Sequence, residues 1–155
     1  MPIGGTPSDQ VFDHGSPPIG GGVPPSFAPS FAVDLPALTG LRAEVARCGR
    51  AVGLAEGTGN DLLLAANELL TNVVRHGGGT GRMWLWHDDG WFYCHVADRG
   101  PGLPVTPKEL YEADPPATAP TGRGLWLIWR FVDRVRIQSG PAGTAVTIAF
   151  PLVGT

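Results

Sequence analysis

The stretch "RMWLWHDDGWFYCHVADRGPGLP", residues 82–104, decides how the rest of the chain is read. Its two apolar runs, 82–88 and 91–98, are rich in aromatic residues and are joined by the short "DDG" at 88–90. That pattern predicts a β-hairpin. The second run ends in "DRGPGLP", residues 98–104, which packs two glycines, two prolines and an aspartate into seven positions. Such residues make an ordinary tight turn leaving a strand. The same composition also lets a backbone approach a ligand at Gly100 and Gly102, with Asp98 aimed at it.

Working outward, "GNDLLLAANELLTNVVRHGGG" (59–79) is the clearest helix. Leu62, Ala66, Leu69 and Val73 form one apolar stripe, Asn60 or Asp61 can cap it, and Gly77 to Gly79 end it. Before it, "LTGLRAEVARCGRAVGL" places Leu41, Val45, Cys48 and Val52 at helical spacing, with Gly53 as a stop. "SFAVDLP", from Ser30, reads as a first strand. Downstream, "VTPKELYEADPPATAPT" is too proline-rich for one regular element. "GRGLWLIWRFVDRV" reads as a third helix opened by glycines, and "VRIQSG" with "TAVTIAFPL" as a closing hairpin. The expected fold is α+β: a two-layer α/β sandwich with a mixed, mainly antiparallel sheet and helices on one face. Residues 31–155 form the folded domain. In residues 1–30, 13 positions are Pro or Gly, so this stretch is expected to be a flexible tail or a partner-binding segment.

Composition excludes several classes. The net charge of −3 and the absence of a basic cluster argue against nucleic-acid binding. Lys108 is the only lysine, which excludes a phosphate loop of the GK[ST] kind. Cys48 and Cys94 form no C-x-x-C pair, so neither a disulfide framework nor a structural zinc site is expected. No membrane-length apolar run and no secretion leader are evident, and a soluble, cytoplasmic protein is expected.

Three elements carry chemistry. Glu68 and Asn72, at i and i+4, share one helix face beside the apolar stripe. They suit a general base and an oxygen ligand for Mg²⁺, or simply a solvated polar face. Asp98 at the end of its strand can accept a hydrogen bond from an amino group such as that of adenine. "TGRGLW" (121–126) places Gly122 and Gly124 before a helix whose unpaired amides attract phosphate, with Arg123 as an added cation. Separately each is an ordinary feature. Together, with a long irregular segment at 105–121 able to close as a lid, they point to a nucleotide. His76 reads as a cation at a helix C-terminus, and His76, His87 and His95 lack metal-ligand spacing. Trp84, Trp86 and Trp91 read as strand packing, and Trp126 and Trp129 as core or a partner contact.

"ELLTN" (68–72), "DRGPG" (98–102) and "GRGLW" (122–126) resemble the N, G1 and G2 boxes of the GHKL, or histidine-kinase-like, ATPase superfamily. "RHGG" and "GRGLWLIWRFVDRV" most resemble the anti-sigma-factor serine/threonine kinases of the RsbW type. The resemblance spans roughly residues 31–153 and implies a Bergerat-type ATP-binding fold. It implies that Glu68 activates the attacking hydroxyl and that Asn72 holds Mg²⁺ on the phosphates of ATP. Asp98 would bind the adenine amino group between Gly100 and Gly102, with Thr144 of "GTAVT" on the adenine side. Gly122, Arg123 and Gly124 would meet the phosphates. It further implies a homodimer whose partners are a sigma factor and a STAS-type anti-anti-sigma protein. Two functions stay open: a kinase that phosphorylates the anti-anti-sigma partner, and an ATP-dependent module that only sequesters. The catalytic half of a sensor histidine kinase ranks last, because no phosphoacceptor helix pair is evident. The lid is rich in Pro and Ala and lacks the extra glycines of many sensor kinases, so its closure would differ.

Overall fold

The computed structural model describes residues 10–14, 24–103, 128 and 132–152. In order these form β1 (Gln10–His14), β2 (Ser30–Val33), a 3-10 turn (Leu35–Ala37), α1 (Leu38–Ala51), α2 (Glu56–His76), β3 (Gly81–Asp88), β4 (Trp91–Asp98), β5 (Arg134–Gly140) and β6 (Gly143–Pro151). The strands make one sheet in the order β1-β5-β6-β4-β3-β2. Among the described residues every neighbouring pair is antiparallel. With α1 packed on α2, and α2 across β2, β4 and β6, the α+β two-layer sandwich stands.

The hairpin forms where the sequence places it. Asp89 and Gly90 both have positive φ, 49° and 82°, the backbone that a two-residue turn needs to match strand twist. The turn sets the register from Asp88↔Trp91 to Gly81↔Asp98. Alternation then puts Phe92, Cys94, Val96 and Asp98 on the helix face and Tyr93 and His95 on the other. Met83, Leu85, Phe92, Val96, Ile137, Ile148 and Phe150 are buried against Val45, Leu62, Leu69 and Val73 of the helices. On the opposite face Trp86 stacks on Tyr93 at 5.0 Å, and the buried Arg134 guanidinium lies 4.4 Å over Trp91. Cys48 and Cys94 are both free thiols; burial pushes Cys94 up to about 12.

Three expectations change. Gln10–His14, inside the stretch read as a tail, pairs with β5 as an edge strand. An average over thirty residues hides "SDQVFDH", which holds no Pro or Gly. Second, α2 begins at Glu56, with Ala55 as its N-cap and no side-chain cap, so neither Asn60 nor Asp61 caps it. Gly57 and Gly59 make that first turn weak by propensity. It is held by docking on α1, where Gly49 lets Leu54 and Leu62 close in; a Cβ at Gly49 would stand 3.3 Å from each. Third, the closing strand starts at Arg134, inside the run read as a third helix. Most of that run lies outside the described residues, but Ile128 is helical and buried, and the Val132 N–H reaches its carbonyl at 3.1 Å.

The buried His95 gives a pH signature. Its Nδ1 lies 2.7 Å from Thr147 Oγ1 and its ring meets Trp84 edge-on at 5.3 Å. Burial lowers its pKa from 6.5 to about 4. A folded-state value below the unfolded one stabilises the protein above pH 6.5 and loses that contribution as pH falls towards 4. The loss amounts to about 3 kcal/mol. Urea unfolding at a series of pH values should show this decline in the native chain and a much flatter one in His95→Gln.

Candidate functional site

The C-terminal turn of α2 and the ends of β4 and β6 converge because glycines stand at each closest approach. Helix α2 ends at Gly77, whose N–H returns to the carbonyls of Asn72 and Val73 at 3.0 Å. Gly78, at φ 86°, turns the chain so that the Gly79 N–H also reaches the Val73 carbonyl. A Cβ on Gly77 would overlap Asp98 Oδ2, and one on Gly100 would stand 2.6 Å from the Gly77 carbonyl carbon. Gly102, at φ 87°, passes against the Gly140 carbonyl, and a Cβ on Gly143 would overlap the Asp98 carbonyl oxygen.

Asp98 sits at the centre of this packing. Its Oδ1 accepts from the Gly100 N–H at 2.9 Å, closing a turn two residues on, and from the Thr144 N–H at 3.2 Å. Oδ2 has no hydrogen-bond donor among the described residues. Burial raises the carboxyl above the ordinary carboxylate range, and the two backbone donors pull it partly back. "DRGPG" is therefore a turn whose aspartate side chain faces inward.

That carboxylate lines a cavity together with Leu69, Asn72, Val73, His76, Gly77, Val96, Gly102, Leu103, Thr144 and Val146. Aliphatic walls with a few convergent polar groups suit a flat, partly apolar ligand. Asn72 Nδ2 is buried without a partner among the described residues. Leaving such a donor unmet costs about 1–3 kcal/mol, so it calls for an acceptor beyond the described residues. The Thr144 hydroxyl pairs with Ser139 Oγ at 3.0 Å, and Ser139 also receives the Leu103 N–H at 2.8 Å.

Of the residues singled out in the sequence, Asn72, Asp98, Gly102 and Thr144 come together around this cavity, and Gly100 backs it through Gly77. Glu68 lies one turn before Asn72, half-buried, outside the cavity lining and without a hydrogen bond among the described residues. Gly122, Arg123, Gly124 and the segment 105–121 fall outside the described residues. Sequence reasoning missed three contributors. His76 was read only as a helix-end cation, Gly77 only as a helix stop, and Ser139 not at all. The run "RHGGG" was the available signal for the first two; a lone serine in a strand gives none.

A bound purine nucleotide fits the chemistry of these residues: aliphatic side chains wall the cavity, and Asp98 Oδ2 has no donor among the described residues. Among the described residues no three His, Cys, Asp or Glu side chains could hold a metal ion. A cation here would thus depend on Asn72 and on oxygens of the ligand. No described helix is long and apolar enough to cross a membrane.

Two substitutions test the packing. Gly77→Ala should destabilise the fold by about 1–3 kcal/mol, through overlap with Asp98. Gly57→Ala, where a Cβ meets open space in α2, should stabilise it by about 0.5–1 kcal/mol. Thermal unfolding midpoints moving in opposite directions would establish the contrast.

Comparison with known proteins places this geometry. The model of the histidine kinase-like ATPase domain matches residues 31–150. Among solved structures, the RsbU and RsbW domains of Rv1364c from Mycobacterium tuberculosis are similar with a TM-score of 0.51 and 20% identity. That match covers 80% of this chain and 34% of the other, so the chain spans about a third of that structure's length. The mycobacterial sensor histidine kinase MprB is similar at a TM-score of 0.48 and 21% identity, covering 79% and 97% of the two chains. No curated protein matches.

Proposed function

The chain belongs to the histidine kinase-like ATPase domain family, and from that premise we propose that it is an ATP-binding anti-sigma regulatory factor with serine/threonine kinase activity. It would phosphorylate a STAS-type anti-anti-sigma protein and sequester a sigma factor. The observation that carries the ATP reading is the Asp98 carboxylate, fixed through Oδ1 beside an aliphatic cavity, with no donor to Oδ2 among the described residues. The finer assignment rests on the likeness of the 68–72, 98–102 and 122–126 boxes to the RsbW type. The neighbour that includes an RsbW domain agrees in fold.

In this reading each residue has a task. Asp98 accepts from the exocyclic amino group of adenine, while Val73, Val96 and Val146 enclose the ring and exclude water. Asn72 holds Mg²⁺, which when bound neutralises phosphate charge. Glu68, at the next turn of α2, accepts the proton of the attacking hydroxyl. Gly122, Arg123 and Gly124 meet the phosphates through backbone amides and a guanidinium. A homodimer would present two such sites to the protein partners.

A second reading has its own observation. Glu68 stands outside the cavity lining, which suits a module that binds ATP and sequesters a partner without transferring phosphate.

Calorimetry and phosphoryl transfer separate these. Asp98→Asn should weaken Mg·ATP binding roughly 10- to 100-fold, the worth of a hydrogen bond to a charged group. Unchanged affinity would refute the nucleotide assignment. Glu68→Ala should retain ATP and lose about 100-fold or more of transfer to a STAS-domain substrate. A fully active Glu68→Ala protein would remove Glu68 as the base. A wild-type chain that binds ATP and holds its partner, yet transfers nothing, would establish the second reading.

A further inference from the structure

One edge strand of the sheet lies outside the stretch matched to the family. Residues 10–14 precede the matched residues 31–150, yet they pair along the outer edge of β5 from Gln10↔Ser139 to His14↔Val135. Strand β1 has β5 on one side and no strand on the other among the described residues, and β5 is the element it packs against extensively. Five residues held by one ladder offset their ordering entropy only narrowly. The chain must next reach β2 at the opposite edge, five strand spacings or about 24 Å away. Residues 15–29 reach about 50 Å when fully extended. That length lets β1 leave β5 and return without displacing the domain.

The end of β5 that receives Gln10 is also the end that buttresses the cavity. Ser139 Oγ accepts the Leu103 N–H at 2.8 Å and shares a hydrogen bond with Thr144 Oγ1 at 3.0 Å. A Cβ on Gly102 would overlap the Gly140 carbonyl oxygen, so the loop lies directly on this strand end. Gly102, Leu103 and Thr144 all line the cavity. With β1 in place, the Ser139 backbone is held between two strands. Without it, one side of β5 carries unpaired N–H and C=O groups, and the strand end frays more readily. Fraying there withdraws the acceptor of the Leu103 N–H.

We propose that the outer edge of β5 is a strand-docking site, filled in this chain by its own residues 10–14, and that filling it tightens the cavity through Ser139 and Leu103. The partner this edge fits is an extended segment added antiparallel by main-chain hydrogen bonds. Linkage makes the effect reciprocal: a ligand that fixes Gly102, Leu103 and Thr144 strengthens the docking of β1. ATP affinity as a readout rests on the nucleotide reading above, whereas the docking and its reach to Leu103 do not.

The test uses the full chain carrying Phe12→Pro and Asp13→Pro together. Successive N–H groups in a strand face opposite sides, so the pair removes a ladder donor whichever way β1 is turned. Without ligand, amide hydrogen exchange followed by NMR should rise about tenfold or more across residues 135–139 and at Leu103. Mg·ATP binding by calorimetry should weaken about fivefold or more. A peptide of residues 8–16, added in trans at about millimolar concentration, should restore both, and the same peptide with the two prolines should not. Of the two single variants, one should behave as native, because a proline whose nitrogen faces solvent is tolerated at a sheet edge. If the double variant does not fold, the native chain still decides: saturating Mg·ATP should slow exchange across 135–139, and no slowing would overturn the coupling. Unchanged exchange across 135–139 in the double variant would mean that β1 does not dock, and would overturn the proposal. Faster exchange there, with Leu103 and ATP affinity unchanged, would reduce β1 to an edge cover and overturn it equally. If the native chain binds no ATP, the nucleotide reading falls, and Leu103 exchange in the double variant alone decides the docking proposal.

Discussion

The contact between the α-carbon of Gly77 and the carboxylate of Asp98 is the constraint on which the rest of the site depends. A helix end, a strand end and the start of another strand meet there, with a glycine at each closest approach. Any Cβ at Gly77 would push Asp98 away from α2. Gly100 must then fold back against Gly77, and Gly143 against the Asp98 carbonyl, each at a distance that only hydrogen on the α-carbon permits. In exchange Asp98 receives two backbone N–H groups that fix the orientation of its carboxylate. The carboxyl is held above its usual range by burial, so the arrangement costs stability in its ionised form.

The sheet supplies the precision. Asp98 faces α2 only because the hairpin at Asp89 and Gly90 sets the register of β3 on β4. A slip of one residue would turn Asp98 to the opposite face and carry His95 and Tyr93 into the core. Phe92, Cys94 and Val96, all buried on the same face as Asp98, oppose that slip through the apolar area they would lose. The helix side is held equally firmly. Leu62, Ala66, Leu69 and Val73 bury the stripe of α2, and that stripe presents Asn72 and Gly77 to the cavity. Burial by these apolar residues therefore sets where the polar ones point.

Much of this was legible in the residues, and the misses have physical causes. The hairpin, the α2 stripe and the inward Asp98 follow from local rules: turn chemistry, period and strand ends. Asn72, Asp98 and Gly102 each belong to a short motif with its own mechanism, whereas Thr144 follows only from the family resemblance. The start of α2 was misread, since Gly57 and Gly59 argue against a helix and only the docking of Leu54 and Leu62 against Gly49 offsets them. The strand Gln10–His14 was lost in the composition of its neighbours. Gly77 and Ser139 were missed for a shared reason. Their importance comes from residues 21 and 5 positions away, Asp98 and Thr144, and no local pattern encodes such a contact.

The choice between a solvated polar face and a ligand site for Asn72 turns on desolvation. A carboxamide on an exposed helix face satisfies its donors with water at no cost. Asn72 Nδ2 is instead shut away from solvent with no protein acceptor among the described residues. Asp98 Oδ2, on a residue that lines the same cavity, has no donor among the described residues. Asn72 Nδ2 and Asp98 Oδ2 are not hydrogen-bonded to each other, and a molecule that carries both an acceptor and a donor would complete both. Such a molecule binds the folded chain and not the unfolded one, so its affinity adds directly to stability.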